Sequence, residues 1–177
     1  MEVKENELVF AKMREGAIIP TKKDEDAGYD LYANFEDDYF VIEPHQTKAI
    51  PTGIACAFNK KFYAQIEERS SMAKLGIKKS GGVMDSGYRG EYLIMTYNTN
   101  HKPFIISKIP LENIPAKIKV GGKTYKTKNC IVYPYTKAVC EIVMQEVPVL
   151  ETKEVSYAEL KNIASLRGEG GFGSSGK

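Results

Sequence analysis

The runs KAIPTGIACAF (Lys48–Phe58) and KFYAQIEE (Lys61–Glu68) decide the fold. In the second, Phe62, Ala64 and Ile66 alternate with Tyr63, Gln65 and Glu67, the period-2 pattern of a strand with one buried face. In the first, Pro51 and Gly53 interrupt an apolar run too short for a helix. Working outward, ELVFAKM, DYFVIE, EYLIMTYN, CIVYPY and AVCEIVMQEVPV repeat the theme, rich in Val, Ile, Tyr and Phe. Pro20, Pro44, Pro51, Pro103, Pro110 and Pro148 separate these runs. Many short strands between such turns predict an all-β jelly roll, sandwich or barrel. Only two short helices are expected. RSSMAKLG has Ser70 or Ser71 near its N-cap and Gly76 closing it, and SYAELKNIAS opens on the capping-box pattern S-x-x-E.

At 177 residues the chain fits one domain, with 42% hydrophobic and 27% charged residues as in ordinary globular proteins. The net charge is +2, and the lysines fall in scattered doublets such as Lys22-Lys23 and Lys78-Lys79. No nucleic-acid footprint is therefore expected. The odd cysteine count (Cys56, Cys130 and Cys140, each in an apolar stretch) points to buried, reduced thiols. His45 and His101 have no partner at metal-ligand spacing, which argues against structural zinc. MEVKENELVF is too charged for a signal peptide, and no apolar run approaches a membrane span. The expected setting is cytoplasmic, without a membrane partner.

Four stretches are richer in Gly, Ser, Asp and Arg than strands need. In DAGYDL (Asp26–Leu31), Gly28 suggests a sharp turn that fixes Asp30 at the start of a strand. ERSSMA (Glu68–Ala73) sets a guanidinium and two hydroxyls, Arg69, Ser70 and Ser71, at a helix start, which suits phosphate oxygens. In GGVMDSGYRGE (Gly81–Glu91) the simplest structure is a hairpin with Asp85 at its bend. Gly82 and Gly87 would let a ligand reach the backbone, and Tyr88 would offer an aromatic face. Residues 101–136 read as an inserted hairpin and loop, with Gly121-Gly122 as its turn.

The fourth stretch, RGEGGFGSSGK (Arg167–Lys177), imitates a P-loop spacing. A P-loop needs a buried strand before it, a helix after it and a Ser/Thr after the Lys, and the printed sequence supplies none of these. Arginine, phenylalanine and serine among glycines suit a mobile lid that closes over a phosphate and a base.

In this order the four stretches resemble motifs one, two, three and five of the trimeric dUTPases, with Asn98 in the strand after motif three as is common there. The resemblance covers residues from about 8 to 100 and 137 to 176. It implies a β jelly-roll homotrimer with active sites at subunit interfaces that hydrolyses dUTP to dUMP and pyrophosphate with Mg²⁺. Carried over, Asp85 resembles the acid that activates the attacking water, and Tyr88 the ring that lies against the deoxyribose. The backbone around Gly82, Val83 and Met84 would read uracil. Arg69, Ser70 and Ser71 match phosphate contacts, and Asp30 the acid near the water shell of an ion held chiefly by the triphosphate. In the arm, 167–177, Phe172 would stack on the base, while Arg167, Gly173, Ser174 and Ser175 would close on the phosphates. The arm would come from a different subunit than most of the pocket, and residues 1–166 would form the β domain.

The sequence departs from the family where TKAVCEI (Thr136–Ile142) stands at motif four, putting Glu141 at the usual glutamine position. Glu68 stands where a proline often precedes the arginine of motif two. The 101–136 insert is longer than the usual connection and could dock a protein partner. Two other readings follow. A regulatory binding module with weakened catalysis draws on Glu141 and the insert. A dCTP deaminase, which shares the fold, would need a glutamate where Met95 stands.

Overall fold

The computed structural model describes residues 2–170. Contacts divide the chain into two compact units, 1–147 and 148–177, and the start of the glycine-rich arm at 167 falls inside the second. The first unit contains fourteen strands: β1 (Leu8–Lys12), β2 (Tyr29–Leu31), β3 (Tyr39–Ile42), β4 (Thr47–Ile50), β5 (Ile54–Phe58), β6 (Phe62–Glu68), β7 (Ile77–Lys79), β8 (Val83–Met84), β9 (Ile94–Asn98), β10 (Phe104–Ser107), β11 (Lys117–Val120), β12 (Lys123–Lys126), β13 (Ile131–Pro134) and β14 (Cys140–Glu146). One short helix, α1 (Ser70–Lys74), follows β6. The ladders run β2-β14-β6-β8, β4-β9-β7, β13-β10-β3, β1-β5 and β11-β12, so the all-β fold is present without a closed barrel among the described residues.

The alternation read from the sequence is the alternation of burial. Ala64 and Ile66 of β6, with Cys140 and Ile142 of β14, enter the main core, while Gln65, Glu67 and Glu141 stay half-exposed. Burying an isoleucine such as Ile66 or Ile142 contributes about 1.5–3 kcal/mol. β10 is different. It is buried on both faces because it lies between β3 and β13, antiparallel to one and parallel to the other. Phe104 and Ile106 enter the main core, and Ile105 joins Val41 and Ile118 in a second cluster. The hairpin β11–β12 supplies the cover for that second cluster, with Val120 and Tyr125 packed against it. Its turn residues Gly121 and Gly122 have φ of 55° and 79°, the left-handed pair that a two-residue hairpin turn requires.

Three local expectations are corrected. The segment 81–91 is not a hairpin: β8 pairs with β6, whereas the next strand, β9, pairs with β4 and β7. Only a turn, Tyr88 N–H to Asp85 C=O at 3.1 Å, lies between the two sheets. Arg69, not a serine, occupies the N-cap of α1, and no side chain caps it. Finally, Cys56 and Cys140 are buried but Cys130 is half-exposed; all three are free thiols. Burial pushes the Cys140 thiol up to about 12, which keeps it protonated and unreactive.

The second unit contains α2 (Tyr157–Lys161). Ser156 caps it by accepting from Glu159 N–H, and the Glu159 carboxylate accepts in return from Ser156 N–H at 2.8 Å. No helix of the described residues is long and apolar enough to cross a membrane.

Candidate active site

β2 is three residues long and alternates: Leu31 enters the core, so Asp30 points to the other face, where the following Tyr32 also stands half-exposed. Across from Asp30 lies Arg69, carried there by the end of β6, and its Nη1 donates to Asp30 Oδ1 at 2.7 Å. The pair is about a third exposed and stabilises the fold by about 1 kcal/mol or less; its value is orientation. Arg69 and Ser71 line an open pocket of about 370 Å³ with Tyr32, Thr136 and Lys137. Burial, then the Asp30 carboxylate, pushes the Tyr32 hydroxyl up, so it stays a protonated donor.

Because Arg69 holds the N-cap position, Ser70 and Ser71 have no capping duty, and both are exposed. The Ser71 hydroxyl, the guanidinium and the Lys137 ammonium together offer donors and positive charge at one pocket, while Ser70 lies outside its lining. That is the chemistry of a phosphate subsite. Lys137 and Tyr32 were missed from the sequence. Tyr32 is the residue two beyond Asp30, just past the end of β2, and Lys137 lies inside the motif-four stretch four residues before Glu141.

Glu141 sits in β14 directly opposite Asp30 on one side and Glu67 on the other, a row of three carboxylates across three strands. Arg69 pairs with the first, and Lys79 with the last at 2.7 Å. The Glu141 stem fills the space above Gly28, where any Cβ would come within 2.8 Å of it. Gly28 thus admits Glu141, a reason the sequence did not disclose.

The motif-three residues lie elsewhere. Asp85 is exposed, does not line the Arg69 pocket, and its carboxylate has no hydrogen-bond partner among the described residues. Arg89 Nη1 donates to the carbonyls of Ser86 and Tyr88 at 2.6 and 2.8 Å, which fixes the turn that presents Asp85. Tyr88 stacks on buried Tyr92 at 6.2 Å between centroids and donates to the Glu91 carbonyl. Gly90 is the floor beneath its ring: a Cβ there would meet the Tyr88 hydroxyl at 2.3 Å. Val83 is exposed and Met84 half-buried. Gly82 serves the fold as well, since a Cβ would lie 2.6 Å from the Ile66 carbonyl of β6, whereas Gly87 faces open space. Glu91 accepts from the N–H groups of Thr52 and Gly53 at 2.9 and 2.7 Å and pairs with Arg14, anchoring the end of the segment. In the second unit Arg167 Nε donates to the Gly170 carbonyl. Phe172, Gly173, Ser174 and Ser175 lie outside the described residues.

A family model described as dUTPase matches residues 14–109. The chain is 30% identical to the deoxyuridine 5'-triphosphate nucleotidohydrolase of Debaryomyces hansenii over 178 residues, covering 99% of this chain and 91% of that one. It is 36% identical over 130 residues to the Pol polyprotein of caprine arthritis encephalitis virus, covering 70% of this chain but 11% of the polyprotein. In structure it is similar to the Staphylococcus bacteriophage 80alpha dUTPase with dUpNHpp: TM-score 0.73, 22% identity, 97% of this chain and 99% of that one. The Asp30–Arg69 pair and the exposed Asp85 turn thus stand in a chain that belongs to the dUTPase family.

Proposed function

We propose that the chain hydrolyses dUTP to dUMP and pyrophosphate at a site whose phosphate end is the Arg69 pocket and whose water-activating acid is Asp85. Membership of the dUTPase family carries the activity. The observation that supports the division of labour is the Arg69–Asp30 pair beside Ser71, Lys137 and Tyr32. Arg69, Lys137 and the hydroxyls of Ser70 and Ser71 bind and orient the triphosphate. The Asp85 carboxylate takes the proton of a water as its oxygen attacks the α-phosphorus, and the bond to the bridging oxygen breaks to release pyrophosphate. General-base help of this kind is worth about 10²–10⁴-fold. Val83 and Met84 read the base through their backbone, and Tyr88 packs against the deoxyribose where a 2′-OH would collide.

Among the described residues no three His, Cys, Asp or Glu side chains are poised to hold a metal. Asp30, a single hard-oxygen donor beside the phosphate pocket, fits an Mg²⁺ that arrives on the triphosphate and is met through water. Such an ion supplies neutralisation of the phosphate charge.

In one chain Asp85 and the Arg69 pocket are separate features, which supports a homotrimer in which neighbouring subunits complete each site. The 167–177 arm then closes over it, Phe172 on the base and Arg167, Ser174 and Ser175 on the phosphates. A protein partner on the 101–136 insert belongs to the same reading. It is supported by exposed Lys117, Lys119 and Lys126 on one face of β11–β12, and reversing those charges is expected to abolish docking without touching turnover.

The test is release of pyrophosphate from dUTP, dTTP, dCTP and UTP side by side, by the full chain and by residues 1–166. The full chain is expected to turn over dUTP alone, with the truncated chain crippled yet still trimeric by light scattering. Equal turnover of UTP would sink the role of Tyr88, and full activity of the truncated chain would sink the arm.

A further inference from the structure

The two histidines of the chain stand 56 residues apart in sequence, yet His45 Nε2 and His101 Nδ1 lie 3.1 Å apart. Their rings meet edge to face, with centroids 4.8 Å apart. The separation that argued against a metal in the sequence is closed by the fold. His45 is at the third position of the turn 43–46, after Pro44, with φ of 57°. That is the left-handed slot of a type II turn, where glycine costs nothing and a side chain costs about 1 kcal/mol or more. A histidine held in that conformation against a second histidine is an outlier that points to use.

Asn98, fully buried, holds the two loops together. Its Nδ2 donates to the carbonyls of Ile42, Glu43 and Lys102, and its backbone C=O accepts from His45 N–H at 2.9 Å. The 43–46 turn and the loop bearing His101 are thereby fastened to one side chain. Tyr97 stands behind the pair, its hydroxyl 3.4 Å from His45 Nδ1. This is the arrangement of a metal-binding imidazole, with one nitrogen facing the ion and the other held by an outer partner. Both imidazoles are exposed, so an ion from solution reaches them.

We infer that His45 and His101 form a two-imidazole site for a late first-row divalent cation such as Zn²⁺, separate from the nucleotide site and its magnesium. Two metal–nitrogen bonds of about 2.0–2.1 Å at a tetrahedral angle set the nitrogens about 3.4 Å apart, close to the spacing already present. The ion replaces the shared proton between the rings. That proton moves to the other nitrogen of the ring that carried it, His45 Nδ1 facing the Tyr97 hydroxyl or His101 Nε2 facing solvent, so both rings stay neutral and no proton is lost overall. Waters complete the coordination. Imidazole donors favour zinc or copper over magnesium, which prefers oxygen. The bound ion clasps the β3–β4 turn to the root of the 101–136 insert.

Calorimetric titration of the full chain with ZnCl₂, in excess Mg²⁺ and without nucleotide, tests the site. The expected result is one zinc per chain and a raised melting temperature. Binding is expected to weaken at least tenfold in His45→Gly and in His101→Asn, with dUTP turnover unchanged. His45→Gly keeps the test sound, because glycine suits the left-handed position and the variant folds. Saturable zinc retained by both variants, or none in the wild type, overturns the site.

Discussion

Asp30 and Asp85 are both carboxylates of the candidate active site, and the fold treats them in opposite ways. Asp30 is gripped by Arg69 at 2.7 Å on the rim of a pocket, while Asp85 is exposed at a turn with no partner among the described residues. A binding end gains from groups already paired and oriented, because less is left to order when the ligand arrives. An acid that must take a proton from water gains from staying uncommitted. On the proposed function, the contrast separates holding from reacting.

The largest break in that contrast is Asp85→Asn. Turnover of dUTP is expected to fall by about 10²–10⁴-fold with an unchanged melting temperature, because the side chain holds nothing in place. A variant retaining a tenth of wild-type kcat would remove Asp85 from the water-activating role.

Next come Arg69→Ala and Lys137→Ala. A lost charge-assisted contact of about 1.5–3 kcal/mol corresponds to a roughly ten- to hundredfold loss in kcat/KM. The arginine variant should be the worse of the two, since it also leaves Asp30 unpaired beside the phosphates. If Lys137→Ala is silent in steady-state kinetics, that lysine is only a pocket wall.

The smallest effect sharpens the meaning of a paired carboxylate. Glu43 accepts from Lys123 at 2.9 Å and from Tyr125 at 2.7 Å. The Lys123 ammonium, opposed by burial and helped by the Tyr125 hydroxyl, holds the Glu43 carboxyl below its ordinary value. The folded chain then binds fewer protons there than the unfolded one. The stabilisation is full above the unfolded value of about 4.3 and is lost as pH falls through the lower folded value. Urea denaturation of Glu43→Gln should show a loss of about 1 kcal/mol or less at pH 7, shrinking toward nothing in strong acid. A loss that persists undiminished there would assign the effect to shape rather than charge.

Much of this was legible in the sequence because it is local. The alternation in KFYAQIEE and AVCEIVMQE gives β6 and β14 and the faces they bury. The motif stretches lead to Asp30, Arg69 and Asp85. Pairing between distant strands leaves no local mark. Val83 and Met84 look like half of a hairpin, yet their partner is β6, because strand pairing is settled by the whole sheet. The same limit hid β10, whose neighbours β3 and β13 lie far away on either side of it in sequence. It also hid the two histidines, which a buried asparagine brings together.

The parallel pairing of β10 with β13 has a consequence for what the connection between them can be. Parallel neighbours must be joined by a long crossover, so the stretch 108–130 cannot be a tight turn. Once a long connection is obligatory, lengthening it is cheap: each doubling adds about 0.6 kcal/mol of closure entropy. At this place one segment can be exchanged for another at little cost to the ladder. One condition travels with every exchange: the newcomer must bring an apolar cap for Val41 and Ile105, as Ile118 does now.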